Sequence, residues 1–260
     1  MINIGLGLAK QLVGIARRAG NEIMRIYRTD FDVEAKGDAS PVTQADRVAE
    51  ELITRAIREG ITSSFPVIAE EAVAAGKAPD RGDGPFWLVD PLDGTKEFIN
   101  RNGEFTVNIA LMEKGRPGLG IVHLPATNTT YFGLNMGSFR MQGAEPRVEI
   151  RCRPAPKEGL TALVSRSHRT PEIDAYLKDF NIASETSAGS SLKFCRVAEG
   201  AADIYPRLGR TMEWDTAAGH AVLRFAGGVV KDLDGNELVY GKPDFENPHF
   251  VAAGPGVLAP

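Results

Sequence analysis

Two aspartates, Asp90 and Asp93, lie three residues apart in the stretch WLVDPLDGTKEF, residues 87–98. The apolar residues 87–89 predict a buried strand, and Pro91 interrupts its hydrogen-bond ladder. The residues after Asp93 predict the first turn of a helix. Two carboxylates this close repel one another unless a proton or a cation lies between them. Such oxygen-rich pairs suit Mg²⁺, which binds a few carboxylates together with water and phosphate oxygens.

Asp93 has two other interpretations. An aspartate before a helix is often an N-cap, and the residues around Asp93 alone leave that role open. The second interpretation is the haloacid-dehalogenase phosphatase signature, in which an apolar strand leads into D-x-D-G-T. The nucleophilic aspartate of that signature would stand at position 91, which is Pro91. A covalent aspartyl mechanism is therefore excluded.

The elements that must position these acids follow from the spacing of apolar residues. Helical spacing from Leu8 to Ile26 predicts a long amphipathic helix, and a second helix is predicted from Thr43 to Ile57. Residues 65–71, FPVIAEE, predict a short strand that ends in acidic residues. Residues 105–143 alternate strand-like runs with Gly, Pro and Asn turns, which predicts an antiparallel meander.

A segment rich in proline and charge, residues 144–159, is the predicted domain boundary. We expect an N-terminal metal-binding α+β domain over residues 1–148 and a C-terminal α/β substrate-binding domain over residues 149–260. In the second domain, strands are predicted within 160–168, 202–209 and 249–254, and helices within 171–180, 190–200 and 215–228.

Composition limits the class of protein. The chain has 260 residues, a hydrophobic share of 43% and a net charge of −4. No apolar run reaches the roughly 18 residues of a membrane span, and the N-terminus lacks the features of a secretory signal, so a cytoplasmic protein is expected. Cys152 and Cys195 have no metal-ligand spacing and are expected to be reduced. The negative charge argues against a nucleic-acid polymer as partner, so an anionic substrate needs local cations or metal ions.

Three separated blocks carry a resemblance to a known family: VIAEE (67–71), VDPLDGTKEF (89–98) and EWDTAAGHAV (213–222). With them the chain resembles the inositol monophosphatase superfamily of metal-dependent phosphatases over nearly its whole length. Within the superfamily it is most similar to the bacterial 3'(2'),5'-bisphosphate nucleotidases of the CysQ type. The segments that carry this similarity are KEFINRNGEFTVNIAL (96–111), VSRSH (164–168), GSSLKFCRVAEG (189–200) and IYPRLGRTMEWDTAAGHAV (204–222).

The resemblance implies an α/β (α+β) fold, a layered α-β-α-β-α sandwich of the inositol monophosphatase and fructose-1,6-bisphosphatase type. It also implies a metal site with two or three Mg²⁺ ions. The implied ligands are four side chains and the backbone carbonyl of one further residue: Glu70, Asp90, Asp93, Asp215 and Leu92. For Asp215, which opens an Ala-rich helix, a simple N-cap is the alternative.

The resemblance implies a catalytic set of Asp46, Glu70 and Thr95. Thr95 would orient the attacking water through its hydroxyl, and Asp46 would accept the hydrogen bond of that hydroxyl. Thr43 to Asp46 also fits a helix capping box, so Asp46 has a structural alternative. The two roles are compatible, because a rigid helix start would hold the carboxylate in place.

The resemblance implies two groups of substrate contacts, one at the metal-binding motif and one in the C-terminal half of the chain. The amides of Gly94 and Thr95, at a helix N-terminus, suit the scissile phosphate, and Leu92, Asp93 and Asp215 lie beside them in the same site. The nucleotide contacts implied by the resemblance are His168, Ser190, Lys193 and Arg207. Ser190 and Lys193 share S-x-x-K spacing at a helix start, so both could face a second phosphate. Arg207 offers a bidentate fork for phosphate or a stacking plane for a base. For Lys193 and Arg207 a solvated surface cation is the alternative.

The implied activity is Mg²⁺-dependent removal of the 3'-phosphate from adenosine 3',5'-bisphosphate to give AMP, extending to its 5'-phosphosulfate analogue. Lithium inhibition and a place in sulfur metabolism belong to the same resemblance. The alternatives are an inositol-1-phosphate or fructose-1,6-bisphosphate phosphatase on the same metal site, and a non-catalytic metal or nucleotide sensor. The resemblance also allows a homodimer and leaves open a peripheral association with the inner membrane.

Overall fold

The computed structural model describes residues 2–35, 41–165 and 170–258. Within these ranges helices and strands are mixed along the chain, with an uninterrupted run of strands in the middle. The helices are α1 (Leu6–Tyr27), α2 (Gln44–Gly60), α3 (Glu70–Ala74), α4 (Thr95–Ile99), α5 (Pro171–Leu177), α6 (Leu192–Ala198) and α7 (Glu213–Phe225).

The larger of the two main sheets has seven strands in chain order. They are β3 (Val67–Ala69), β4 (Phe86–Asp93), β5 (Thr106–Glu113), β6 (Arg116–Leu124), β7 (Thr129–Leu134), β8 (Gly137–Gln142) and β9 (Val148–Ile150). Only β3 and β4 are parallel; every later neighbour in this sheet is antiparallel. The predicted meander is therefore confirmed.

The smaller main sheet has five strands in the order β11-β10-β12-β14-β13. Its members are β10 (Leu160–Ser165), β11 (Ile182–Ala188), β12 (Ile204–Arg207), β13 (Val229–Asp232) and β14 (Phe250–Ala253). β10 runs parallel to β11 and β12, whereas β14 is antiparallel to both of its neighbours. A two-stranded ribbon, β1 (Val33–Ala35) with β2 (Pro41–Thr43), precedes α2.

These elements stack as five layers. Helices α1 and α2 cover one face of the seven-stranded sheet, where Trp87 and Val89 join their core. The alternate residues Phe86 and Leu88 face the opposite side, toward α6 and α7. Helices α6 and α7 also contact the five-stranded sheet, and α5 packs on the far side of that sheet. Alternation along β4 thus lets one strand contribute to two cores, and the expected α-β-α-β-α sandwich is confirmed.

Helix α7 lies unusually close to the large sheet. A Cβ on Gly120 of β6 would come within 2.5 Å of the Ala218 carbonyl oxygen, and one on Gly133 of β7 within 2.6 Å of the Ala221 oxygen. Real Cβ atoms do not approach backbone oxygens this closely, so only glycine fits beneath the helix. The helix backbone therefore rests directly on the strand backbone.

Strand β11 was not predicted from the sequence, and strand β9 crosses the predicted domain boundary. Strand β11 has no hydrophobic alternation, since residues 183–187 are exposed, and the sequence patterns did not predict it. Strand β9 pairs with β8 and crosses the predicted boundary after residue 148, so residues 149 and 150 belong to the first sheet. The division into two domains stays a prediction. No helix in the described ranges is both long enough and apolar enough to cross a bilayer.

Candidate active site

A bulge in β4 brings Asp90 and Asp93 to the same side of the sheet. Asp90 pairs with Asn108 and Asp93 with Thr106, so two residues of β4 oppose a single residue of β5. Without the extra residue, side chains three positions apart on a strand would point to opposite faces. The Asp90 carboxylate also accepts the Leu92 amide at 3.0 Å, which stabilises the turn through the proline. The D-P-L-D spacing thus places two carboxylates on the same side of the sheet at the end of β4.

Three acids from three elements converge at this bulge. One carboxylate oxygen from each of Glu70, Asp90 and Asp215 lies within 4.8 Å of the other two. Glu70 is the first residue of α3, and Asp215 is the third residue of α7, where its carboxylate also accepts the Met212 amide at 2.8 Å. The helix-capping role of Asp215 therefore exists and coexists with a position in the acidic cluster.

Burial and like charge disfavour ionisation of Asp215 and Asp93. Burial, together with the charges of Asp93 and Glu70, raises the pKa of Asp215 to about 8. Burial likewise raises the pKa of Asp93 to about 6, against the opposing influence of Lys193 and the Ser191 amide. Carboxylates in this condition gain from a divalent cation, and a set of carboxylate oxygens matches the ligands that Mg²⁺ prefers. The residues therefore fit the expected ion.

Asp93 lies in the same cavity but outside the group of three. Among the described residues, the hydrogen bonds to its carboxylate end on Oδ2: from the Ser191 amide at 2.6 Å and from Asn108 Nδ2 at 3.3 Å, with the Thr106 hydroxyl 3.4 Å from the same oxygen. Its other oxygen, Oδ1, is the one left for a cation. The predicted ligand role of Asp93 stays a prediction.

Asp46 links the start of α2 to Thr95. Its Oδ2 accepts the Thr43 amide at 2.8 Å and the Thr43 hydroxyl at 2.7 Å, which is the predicted capping box. Its Oδ1 faces the Thr95 hydroxyl at 3.4 Å, and that hydroxyl lies equally far from the Leu92 carbonyl oxygen. Asp46 is only 2% exposed, so its carboxylate is held rigidly. One side chain therefore combines the capping geometry with the contact to Thr95.

Glu50, which the sequence patterns did not single out, holds α3 in place. Its two carboxylate oxygens accept the amides of Glu71 at 2.7 Å and Ala72 at 2.9 Å. No side chain within α3 caps the helix, so a residue of α2 supplies the missing acceptors. Burial raises the pKa of Glu50 to about 7. The position of Glu70 thus depends on a partner twenty residues earlier in the chain.

Cationic residues form the opposite wall of the cavity. Lys193 is only 4% exposed, and its ammonium donates to the Ser190 carbonyl at 2.7 Å and, at 3.4 Å, to that of Ala188. Burial lowers the pKa of Lys193 to about 8, whereas Asp93 acts in the opposite direction. Lys193 is therefore not a solvated surface cation, and that alternative is wrong for it.

Arg207 is half-buried on the same wall. Its Nη2 donates to the Arg210 carbonyl at 3.1 Å, but its buried Nε has no hydrogen-bond partner among the described residues. A buried guanidinium donor without an acceptor is costly unless a ligand supplies one. Arg207 is therefore available to an anion that enters the cavity.

The cavity joins the two walls in a volume of about 240 Å³. Most of the predicted site residues line it: Glu70, Asp90, Leu92, Asp93, Gly94, Thr95, Ser190, Lys193, Arg207 and Asp215. Gly94 has φ +89, which favours glycine at this turn, and Ser190 donates its hydroxyl to the Glu104 carbonyl at 2.8 Å. Asp46 lies behind Thr95 rather than on the cavity wall, and His168 falls outside the described residues. The predicted roles of these residues stay predictions.

Comparison with known sequences agrees with this geometry. The sequence profile of the inositol monophosphatase family matches residues 7–259. The 3'(2'),5'-bisphosphate nucleotidase CysQ of Salmonella typhimurium is 42% identical over 247 residues, which cover 94% of this chain and 98% of the relative. The protein of the same description from Escherichia coli is 44% identical over 92% of this chain and 97% of its own length.

Solved structures show the same fold. The crystal structure of CysQ from Bacteroides thetaiotaomicron, described as a bacterial member of the inositol monophosphatase family, superposes with a TM-score of 0.80 at 39% identity and covers 95% of this chain and 97% of its own. An IMPase from Thermotoga maritima gives a TM-score of 0.74 at 28% identity, covering 93% and 89%. On these matches and this geometry, the chain belongs to the inositol monophosphatase family.

Proposed function

We propose that this chain is a Mg²⁺-dependent phosphatase that hydrolyses the 3'-phosphate of adenosine 3',5'-bisphosphate to give AMP, and that it also acts on the 5'-phosphosulfate analogue. The observation that carries the proposal is the cavity with three converging carboxylates on one wall and Lys193 with Arg207 on the other. The names of the relatives from Salmonella typhimurium and Escherichia coli support it, since both are 3'(2'),5'-bisphosphate nucleotidases.

The acidic wall is the proposed metal centre. Glu70, Asp90, Asp93 and Asp215, with the carbonyl of Leu92, would hold two or three Mg²⁺ ions. Ions bound there would lower the pKa of a coordinated water and shield the charge that develops on the leaving oxygen. Glu70 belongs to the proposed catalytic set because it would bring such an ion next to Thr95.

Thr95 and Asp46 would position the attacking water. When the Thr95 hydroxyl donates to Asp46 Oδ1, the Thr95 oxygen keeps its lone pairs for the cavity. A water that donates to those lone pairs is oriented for in-line attack and can pass its proton toward the buried Asp46 carboxylate. The amides of Gly94 and Thr95, at the start of α4, would hold the scissile phosphate.

The cationic wall favours a substrate with a second phosphate. Two donors of the Lys193 ammonium are taken by backbone carbonyls, which leaves a third for a ligand. Together with Arg207 Nε it offers two charged donors to a 5'-phosphate, while Ser190 and His168 are proposed as further nucleotide contacts. A mono-phosphorylated inositol would leave these donors unmatched, which is why the inositol-1-phosphate alternative ranks second. The homodimer and a location in the cytoplasm stay predictions.

Phosphate release from adenosine 3',5'-bisphosphate, inositol-1-phosphate and fructose-1,6-bisphosphate tests the assignment. We expect the nucleotide to be the best substrate of the wild type. Lys193→Met keeps the apolar stem beside the Tyr205 ring but removes the charge. We expect it to raise KM for the nucleotide about tenfold, the equivalent of about 1.4 kcal/mol, and to leave KM for inositol-1-phosphate unchanged.

Lys96→Met is the matched control, since Lys96 lines the same cavity but is exposed to solvent. An equal effect of both variants would mean that the cavity attracts anions only through its net charge. The assignment is contradicted if the inositol ester is the best substrate and Lys193→Met changes nothing.

The pH dependence of stability tests the metal centre without substrate. In the folded chain the pKa values of Asp93 and Asp215 are raised, so the stability that their protonated forms contribute is lost as pH rises through about 6 and about 8. Without Mg²⁺ we expect the Tm to fall from about pH 5 to about pH 8. Added Mg²⁺ should raise the Tm, and more at about pH 8, because protons then compete less for the carboxylates. An equal Mg²⁺ effect at both values, measured by differential scanning fluorimetry, would contradict this centre.

A further inference from the structure

A set of hydrogen bonds lies beside Asp93, next to the cavity, which one of its members also lines. Its members are Thr106 and Asn108 of β5 and Ser191, the residue that precedes α6. All three are at most 1% exposed. The Ser191 hydroxyl donates to Asn108 Oδ1 at 2.7 Å, and Ser191 Oγ lies 2.8 Å from Thr106 Oγ1. No member of this set takes part in the proposed chemistry directly.

The protons in this set can be assigned by counting donors. Ser191 has one hydroxyl proton, and the bond to Asn108 Oδ1 uses it. The 2.8 Å contact with Thr106 is therefore donated by the Thr106 hydroxyl, whose single proton is then not available for the longer 3.4 Å contact with Asp93 Oδ2. With its oxygen turned to Ser191, the Asn108 amide directs Nδ2 at Asp93 Oδ2, 3.3 Å away. The Ser191 hydroxyl thus decides which end of the amide meets the carboxylate.

The Ser191 hydroxyl makes these hydrogen bonds from the N-terminal end of a helix. Ser191 is the N-cap residue of α6, yet its hydroxyl does not cap that helix. A serine at an N-cap usually accepts a hydrogen bond from a backbone amide of its own helix, whereas the Ser191 hydroxyl bonds to Asn108 instead. Its backbone amide also donates to Asp93 Oδ2, at 2.6 Å. Ser191 therefore reaches the same carboxylate oxygen directly and through Asn108.

Ser191 also connects two walls of the cavity. Asp93 ends β4 in the seven-stranded sheet, whereas Ser191 stands between Ser190 and the cationic Lys193. Saturation of Oδ2 by protein donors leaves Oδ1 of Asp93 as the oxygen that faces the cavity. The segment that carries the predicted substrate contacts Ser190 and Lys193 thus also orients Asp93, a predicted metal ligand.

We propose that Ser191 is a positioning residue for the metal centre: through Asn108 it holds the Asp93 carboxylate with Oδ1 toward the cations. The inference rests on the proposed function in one respect, that Asp93 is a metal ligand. Partners that orient a ligating carboxylate typically change metal affinity by about 10- to 100-fold when removed. In this proposal Ser191 acts on the ion through Asp93.

Binding of Mn²⁺ alone, followed by electron paramagnetic resonance without substrate, tests the proposal. We expect Ser191→Ala to weaken Mn²⁺ binding about tenfold relative to the wild type. Ser138→Ala is the matched control, because Ser138 is also fully buried and loses a single hydrogen bond, to the Val222 carbonyl. Ser138→Ala should bind Mn²⁺ like the wild type even if its Tm falls as far as that of Ser191→Ala. Equal Mn²⁺ affinity of wild type and Ser191→Ala would overturn the proposal.

Asn108→Ala gives a second, independent variant should Ser191→Ala not fold. We expect the same loss of Mn²⁺ affinity, and no further loss when both changes are combined, since they interrupt one chain of bonds. Additive losses would mean that Ser191 does not act through Asn108. Ser191→Thr, which keeps the hydroxyl, should restore most of the affinity. A wild type that binds Mn²⁺ but does not hydrolyse the nucleotide would contradict the proposed function and leave this inference intact.

Discussion

Replacing Asp215 with asparagine is expected to reduce phosphate release roughly 1,000-fold and, at the same time, to stabilise the Mg²⁺-free protein. Loss of one metal-binding carboxylate removes several kcal/mol of transition-state stabilisation, and about 4 kcal/mol corresponds to that factor. The gain in stability has a separate cause. Asp215 is half-buried beside the charges of Asp93 and Glu70, and a neutral amide of the same shape relieves that repulsion.

Thermal unfolding with and without Mg²⁺ separates the two effects. Without Mg²⁺ at about pH 8, the Tm of Asp215→Asn should exceed that of the wild type by roughly 2–6 °C, since about 1 kcal/mol corresponds to a few degrees in a chain of this size. The asparagine oxygen can still accept the Met212 amide, so the start of α7 is kept. With Mg²⁺ the order should reverse, because only the wild type gains from the ion.

Asp203→Asn is the matched control for this experiment. Asp203 is even less exposed than Asp215, but its carboxylate is paired with Arg153 in two hydrogen bonds of 2.7 Å and accepts the Thr161 amide. These partners lower the pKa of Asp203 despite its burial, so the charged form is favoured. Neutralising it should lower the Tm and leave activity unchanged. If Asp215→Asn also destabilised the Mg²⁺-free protein, the acidic cluster would not be an ion site.

Asp46→Asn is expected to lower kcat at least 100-fold while changing KM and the Tm little. Removing a positioned proton acceptor costs about 100- to 10,000-fold in rate. The asparagine oxygen can still accept the Thr43 amide, so the capping box of α2 is largely kept. The asparagine NH₂ group, however, cannot accept the Thr95 hydroxyl, and Thr95 then loses the partner that orients it.

Variants of Thr95 complete this test. Thr95→Val should lose as much kcat as Asp46→Asn, Thr95→Ser should retain most of it, and the double variant should be no worse than either single one, because residues that act as a unit are not additive. Steady-state kinetics, with the Tm as a check on folding, distinguish the roles of Asp46. A variant with normal kcat and a lowered Tm would show that Asp46 serves only as a helix cap.

Asp90 and Asp93 could be predicted from their residue type and spacing, whereas Glu70 and Asp215 were predicted from the resemblance of their motif blocks to the inositol monophosphatase superfamily. Glu70, Asp90 and Asp215 converge as the three motif blocks predict. The bulge that makes the D-P-L-D spacing productive could not be predicted, since it is defined by the pairing of β4 with β5. Asn108 and Thr106 were not predicted as site residues, because only the pairing of β5 with β4 brings them to Asp93. Within β5 they are ordinary polar residues that alternate with apolar ones.

Burial was the other property that sequence patterns could not supply. The S-x-x-K spacing identified Lys193, but a helix of seven residues does not reveal that its lysine is enclosed beneath Tyr205. Strand β11 was missed because its exposed residues show no alternation, and backbone pairing with β10 alone defines it. The helices with long apolar periodicity, α1 and α2, were predicted because each buries one continuous face.

The glycines beneath α7 have a consequence for how substitutions in this protein should be interpreted. Because Gly120 and Gly133 have no side chain and face backbone atoms of α7, no flexible side chain there can move aside to absorb an added methyl group. The helix itself would have to move outward, and Asp215 in its first turn would move with it. A shift of even half an ångström matters where Mg²⁺ tolerates only about 2.0–2.1 Å to its ligands. A substitution at Gly120 or Gly133, in the middle of the sheet and remote in sequence from the carboxylates of the site, would thus weaken ion binding.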